Sequence, residues 1–349
     1  MLTEKQLDEI KEHLEKAQNP LFFFDNDVDG LCSFLVLRRF INRGRGVVIK
    51  SSPDLNITYA RKVYELNPDY IFILDKPLVS KDFLNEMRKL NLPVVWIDHH
   101  GVIAEDLSEV NYYNPSLDGG SSEPTTYLCY QATKKKEDEW IALTGCLADG
   151  YIPDFINRVR EKYPELSKEC KSAFQCVYET TIGKIIRILS FGLKDRTSNV
   201  IKMLKFLVDI NSPYDILEEN VKTFSFHKRF EQINSKYKKL LEKAKSETKG
   251  KLIYFQYGGD LSISAEIANE LSYFYHDKIV VVAYISGARA NISLRGKNVR
   301  KLTLDAIAGL EGARGGGHKD ATGASLLVED LPKFKSSIEE LLSHKNPKD

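Results

Sequence analysis

The sequence predicts an α/β protein: an N-terminal domain built on a parallel sheet, a helical connector, and a smaller C-terminal α/β domain. Three observations lead there. Short apolar runs at 21–24, 47–49, 70–74 and 94–97 alternate with helical periodicity at 31–42 and 81–90, the βαβ order that lays strands parallel. From 154 to about 249 strand signals fade into long mixed apolar and charged stretches, and strand patterns return at 251–256, 278–285 and 290–295. These changes place domains at 1–185, 186–250 and 251–349.

Taken in order, residues 2–17 carry helical spacing and 21–24 contain three consecutive phenylalanines, the mark of a buried strand. Gly30 allows a tight turn into the helix from 31. The middle reads as helices at 172–189, 197–210 and 224–249. Further helices are expected at 264–275 and 333–342, and 345–349 reads as a frayed tail.

A length of 349 residues suits two ordinary domains, and 42% hydrophobic with 28% charged is a globular balance that requires no membrane span. The start at Met1 leads into a charged amphipathic helix rather than a basic-then-apolar secretory signal, so a cytoplasmic product is expected. The five cysteines, Cys32, Cys129, Cys146, Cys170 and Cys176, form no Cys-x-x-Cys pair and read as buried thiols rather than disulfides or zinc ligands. A net charge of +1 confines any grip on nucleic acid to a local patch. The basic run from His227-Lys228-Arg229 through Lys236, Lys238, Lys239, Lys243, Lys245, Lys249 and Lys251 is interleaved with Glu231, Glu242 and Glu247, and reads first as a solvated helix.

Four acidic and histidine clusters each follow an apolar, strand-like run. They are Asp25-Asn26-Asp27-Val28-Asp29-Gly30 after Phe24, Asp75 after Leu74, Asp98-His99-His100 after Ile97, and Asp149 after residues 142–148. Residues just beyond the carboxyl ends of parallel strands converge on one crevice. On an extended segment Asp25, Asp27 and Asp29 share a face, although a turn toward the helix near Leu31 is expected within this stretch, and three crowded carboxylates require cations. Carboxylates mixed with imidazole suit Mn²⁺ or Mg²⁺, and less exclusively Zn²⁺. Ligating imidazoles need a partner to fix the tautomer, which Asp98 or a neighbouring carboxylate can provide. Taken alone, an isolated Asp is a helix cap or turn residue; the four clusters together favour a site. No Gly-x-x-x-x-Gly-Lys-Ser/Thr loop is present.

At these residues the chain resembles the DHH phosphoesterase superfamily, whose name is the triplet Asp98-His99-His100. The Asp25-x-Asp27-x-Asp29-Gly30 stretch is similar to the first motif of its RecJ-type exonuclease branch. The pyrophosphatase and oligonucleotide phosphatase branches carry a His where this chain has Phe23. Residues 315–323, Gly-Gly-Gly-His-Lys-Asp-Ala-Thr-Gly, resemble the Gly-Gly-His loop of the DHH-associated C-terminal domain, which in the family closes over substrate, so the resemblance implies an active site in the interdomain cleft. It also implies two Mn²⁺ or Mg²⁺ ions held by Asp25, Asp27, Asp29, Asp75, His99 and Asp149, with Asp75 bridging. By the same resemblance His100 lies near the scissile phosphate as the catalytic residue. Lys76-Pro77 departs from the Asn-Gly pair typical of RecJ-like proteins.

Such a cation pair activates water and holds a phosphodiester for in-line attack. In the C-terminal domain Arg289, Arg295, Gly316, Gly317 and His318 are the expected substrate-binding residues, through side-chain donors and backbone amides left open by glycine. The expected function is a metal-dependent exonuclease releasing mononucleotides from single-stranded DNA or RNA. Two alternatives stand beside it: a phosphoesterase for short oligonucleotides, cyclic dinucleotides or nucleotide bisphosphates, and a non-catalytic replication-associated scaffold. A helicase or replisome partner follows only from the resemblance, and the helical middle offers a surface for a homo-oligomer.

Overall fold

The computed structural model describes residues 1–51, 54–101, 107, 110–247 and 250–343. Lys249 of the basic run and the expected tail at 345–349 lie outside the described residues. Helix α1 (Glu4–Lys16) leads into β1 (Pro20–Asp25), α2 (Val28–Ile41) and β2 (Arg45–Ile49). The short β3 (Asp54–Leu55), α3 (Ala60–Leu66), β4 (Tyr70–Leu74), the short β5 (Leu78–Val79), α4 (Lys81–Lys89), β6 (Val94–Ile97) and β7 (Asn111–Tyr113) follow. A helical stretch comes next: α5 (Thr125–Thr133), α6 (Glu139–Ala148), α7 (Ile156–Lys162), α8 (Ala173–Glu179), α9 (Thr181–Leu193), α10 (Thr197–Asp209) and α11 (Phe224–Ser246). The chain ends with β8 (Leu252–Gly258), α12 (Ser264–Phe274), β9 (Ile279–Ser286), β10 (Arg289–Arg295), α13 (Val299–Ile307), β11 (Arg314–Gly317), β12 (Ala321–Leu327) and α14 (Leu331–Ser343). It divides into two compact units, Met1–Phe230 and Glu231–Asp349, the boundary falling inside α11.

The first unit is built on a parallel sheet in the order β2-β1-β4-β6-β7. Phe22, Phe23 and Phe24 are all fully buried because both faces of the sheet are covered, which is why β1 shows no polar alternation. On one face Phe23 meets Phe83 of α4 edge-on, with centroids 5.5 Å apart. On the other, Phe24 stacks on Phe34 of α2 at 5.0 Å and Phe22 on Phe72 of β4 at 4.9 Å. Leu74 is in register with both Phe24 and Ile97, and Ile97 with Tyr113, so Asp25, Asp75, Asp98 and Asn114 come out along one carboxyl edge.

The second unit carries a sheet in the order β11-β12-β10-β9-β8, parallel between β8 and β9 and antiparallel elsewhere. Ile292, Leu294, Leu326 and Phe334 lie in its core. The basic run lies largely on α11, where Lys245 pairs with Glu242 at 3.0 Å. Among the described residues no helix is long and apolar enough to cross a membrane.

Four expectations need correction. The apolar run 142–148 is helix α6, not a strand: it is buried all round, and such a run has no periodicity to separate the two. The helix expected over 172–189 is broken at Thr180, which is extended at φ −129° and ψ 168°. Gly30 lies inside α2 rather than in a turn; a Cβ there would stand 2.7 Å from the Asp25 carbonyl oxygen, so glycine is needed for the close approach of helix and strand. Cys170 and Cys176 are joined as a disulfide, their Cα atoms 5.5 Å apart across the turn into α8, a separation the bond readily spans. Cys32, Cys129 and Cys146 are the buried thiols expected.

Candidate metal centre

The carboxyl edge of the first sheet brings the four clusters together. Asp25, Asp27 and Asp29 do not share an extended face. Asp25 ends β1, Asp27 caps α2 by accepting from the Gly30 amide at 2.9 Å, and Asp29 lies in the first turn of α2. A helix starting immediately after the strand, rather than strand alternation, groups them. Asp29 is 2% exposed, and its two oxygens accept the Thr125 and Thr126 amides at 2.9 Å each. It thus satisfies two of the orphan donors at the start of α5 and is fixed at both oxygens.

Asp75 follows β4 with φ +58°, a left-handed backbone that Asp tolerates better than most residues. Its amide donates to the Ile97 carbonyl at 3.0 Å, and its Oδ1 accepts from the Thr125 hydroxyl at 3.2 Å. The same Oδ1 stands 3.4 Å from His99 Nε2, and Asp149 Oδ2 is 3.8 Å from that nitrogen. Asp149 terminates α6, not a strand, and joins the cluster from the helical layer. His100 is oriented by Asp98: its Nδ1 lies 2.8 Å from Asp98 Oδ1 and its amide donates to Asp98 Oδ2 at 3.1 Å. Asn114 donates to the His100 carbonyl at 2.9 Å, fixing the same turn from β7.

The electrostatics are those of excess negative charge. Crowding by the surrounding chain, then repulsion from Asp75, Asp25 and Asp29, pushes the Asp27 carboxyl well up, although its side chain remains exposed to solvent. Burial with Asp75 and Asp149 does the same to Asp29. Asp149, with 36% of its side chain accessible, is raised to about 6 by burial, partly offset by His99. Burial opposes the charge on Asp75, His99 and His100 too, but there the partners prevail. His99 holds Asp75 below the usual carboxylate range, Asp75 and Asp149 raise His99 well above its ordinary value, and Asp98 raises His100.

The donor set fits a divalent cation. Ligand atoms of Asp29, His99 and Asp149 lie within 4.8 Å of one another, and crowded carboxylates with an imidazole are chemistry that Mn²⁺ or Mg²⁺ neutralises. Lys76 was not expected in the site. It is 2% exposed, and its Nζ donates to Asp25 Oδ1 at 2.8 Å and to the Ser51 carbonyl at 2.9 Å. The sequence signal was there: a lysine immediately after an acidic residue at the end of a buried strand.

In the second unit, Gly316 and Gly317 lie on edge strand β11 and His318 follows it, exposed, with its amide donating to the Ala321 carbonyl at 2.9 Å. Gly317 has φ +131°, and a Cβ there would meet the Ala321 carbonyl oxygen at 2.6 Å, whereas Gly316 faces open space. Arg289 donates to Gly312 O at 2.9 Å, and Arg295 to Leu294 O at 2.7 Å and Thr322 O at 3.1 Å. Both arginines spend donors on their own domain.

Residues 21–151 match the DHH family N-terminal domain and residues 249–344 the DHHA1 domain. The chain belongs to the DHH superfamily and has its phosphoesterase fold. Among solved structures it is similar to RecJ from Thermus thermophilus in complex with Mn²⁺, with TM-score 0.70 and 16% identity over 99% of this chain, which spans 56% of that one. It is also similar to a manganese-bound exonuclease RecJ, with TM-score 0.67 and 16% identity, covering 99% of this chain and 96% of that. A pGpG-specific phosphodiesterase from Vibrio, PggH, aligns at TM-score 0.51 and 15% identity over 94% of this chain and 100% of its own. Among curated proteins no sequence matches.

Proposed function

We propose that this chain is a Mn²⁺- or Mg²⁺-dependent phosphodiesterase that removes mononucleotides from the end of single-stranded DNA or RNA. The observation that carries the reading is the convergence of Asp27, Asp29, Asp75, His99 and Asp149 at one carboxyl edge, each fixed by an element of the fold. The likeness to the RecJ structures supports the nucleolytic choice within the family. Intact ligand positions weigh against a non-catalytic scaffold.

Asp29, Asp75, His99 and Asp149 would hold the metal, which when bound supplies positive charge to the phosphate and acidifies water. The chain's own groups do the rest. Thr125 and Thr126 lock Asp29, and the Asp98 contact sets the His100 ring so that it can donate to a phosphate oxygen. Gly316, Gly317 and His318 supply further phosphate contacts, His318 through its side chain and the glycines through amides that no Cβ shields.

A second reading, hydrolysis of very short or cyclic dinucleotides, is favoured by the alignment over the full length of PggH. Product release from a labelled long single strand, a dinucleotide and a duplex, each with and without Mn²⁺, distinguishes them. The exonuclease reading expects mononucleotides from the long strand; turnover confined to dinucleotides would replace it with the second, and no turnover on any substrate would leave the scaffold.

A further inference from the structure

Lys76 divides the acidic cluster into two halves. On one side Asp29, His99 and Asp149 gather their ligand atoms within 4.8 Å, with Asp75 Oδ1 at 3.4 Å from His99 Nε2. On the other, Asp25 Oδ1 is taken by the Lys76 ammonium at 2.8 Å. The left-handed turn at Asp75 separates the two neighbours: the Asp75 carboxylate reaches His99 and Thr125, while Lys76 reaches Asp25 on the adjoining strand and Ser51. The backbone there is held as well, because the buried Trp96 indole donates to the Lys76 carbonyl at 2.8 Å. An ammonium buried to 2% exposure and paired with a carboxylate is not a mobile surface charge. Adjacent to it, a second divalent cation would meet a fixed like charge and an Asp25 already engaged.

Resting on the proposed metal-dependent reading, we infer that the site takes one tightly bound divalent cation, at Asp29, Asp75, His99 and Asp149, and that the Lys76 ammonium supplies the positive charge a second metal would bring. Asp25 is then a positioning residue for Lys76 rather than a metal ligand, and the expectation of two ions becomes one ion and one lysine. An ammonium has three N–H donors and no coordination sphere. Among the described residues this one donates to Asp25 and to the Ser51 carbonyl, which hold its charge at the cluster.

The test is the stoichiometry of Mn²⁺ on the full chain, read from the free-ion spin-resonance signal during titration and from elemental analysis after desalting. Wild type is expected to hold one tight equivalent, and Asp25→Asn also one, since no ligand is lost. Lys76→Met is expected to gain a second, as Asp25 loses its resident cation. The double variant Lys76→Met/Asp25→Asn removes both charges together and is expected to return to one equivalent; circular dichroism reports the fold of each. Two tight equivalents in wild type, a loss on Asp25→Asn, or no gain in folded Lys76→Met overturns the assignment while leaving a metal-dependent site in place. No bound Mn²⁺ in any of the proteins overturns both the assignment and the reading on which it rests.

Discussion

The carboxyl edge of the first unit and the glycine edge of the second present polar groups in opposite ways. At the first, Asp75 and His99 are 2% exposed and Asp98 is fully buried, each held by two or more neighbours. At the second, Gly316, Gly317 and His318 sit on an edge strand with His318 exposed, and Arg289 and Arg295 are tied to their own domain. Burial of charge is costly unless something compensates it, so the first edge calls for a cation, with its geometry set before any ligand arrives. The second spends little stability and offers contacts that a ligand can recruit.

Breaking the buried edge should have the largest effect. Asp75→Asn and His99→Ala are each expected to bring hydrolysis to background with the fold retained. Asn is the cleaner probe at position 75 because it accepts the left-handed backbone, whereas Ala adds about 1 kcal/mol of strain. Initial rates at saturating Mn²⁺ with melting curves check this, and near wild-type turnover in either variant would rule out the assigned ligand set.

The exposed edge should respond less. His318→Ala is expected to lose about 1.5 to 3 kcal/mol of phosphate binding, roughly tenfold to a hundredfold or somewhat more in turnover or affinity, with Mn²⁺ binding unchanged. Oligonucleotide kinetics beside a metal titration measure both, and a lost metal equivalent would move His318 into the metal centre. Also on the buried edge, Asp98→Asn leaves the His100 ring in place but weakens what orients it. A drop on the order of 10- to 100-fold in activity or metal affinity is expected. Smallest of all, Lys238→Ala and Lys239→Ala on α11 should change affinity by under about 0.5 kcal/mol, and only at low salt. An effect as large as that of His318→Ala would turn the α11 face into a substrate track.

The same contrast explains what could be read in advance. Runs such as 70–74 and 94–97 announce strands because a parallel sheet covered on both faces demands continuous apolar side chains, and an Asp or His immediately after such a run must emerge at its carboxyl edge. The pattern failed where burial erases periodicity, as in α6, and where the chain breaks for reasons local spacing does not encode, as at Thr180. The disulfide escaped because pairing depends on how close two backbones come.

By itself, then, the sequence determined the α/β class, the parallel order of strands and helices, and the acidic and histidine positions that meet at one edge, since these follow from side-chain type and periodicity along the chain. Only the tertiary structure decided that Asp29 caps α5, that Asp75 turns left-handed beneath His99, and that Lys76 lies against Asp25. The Asp25 contact with Lys76 and the Asp29 contact with Thr126 join residues 51 and 97 positions apart. Such partners are chosen by packing and by the need to satisfy buried charge, neither of which is written in local spacing.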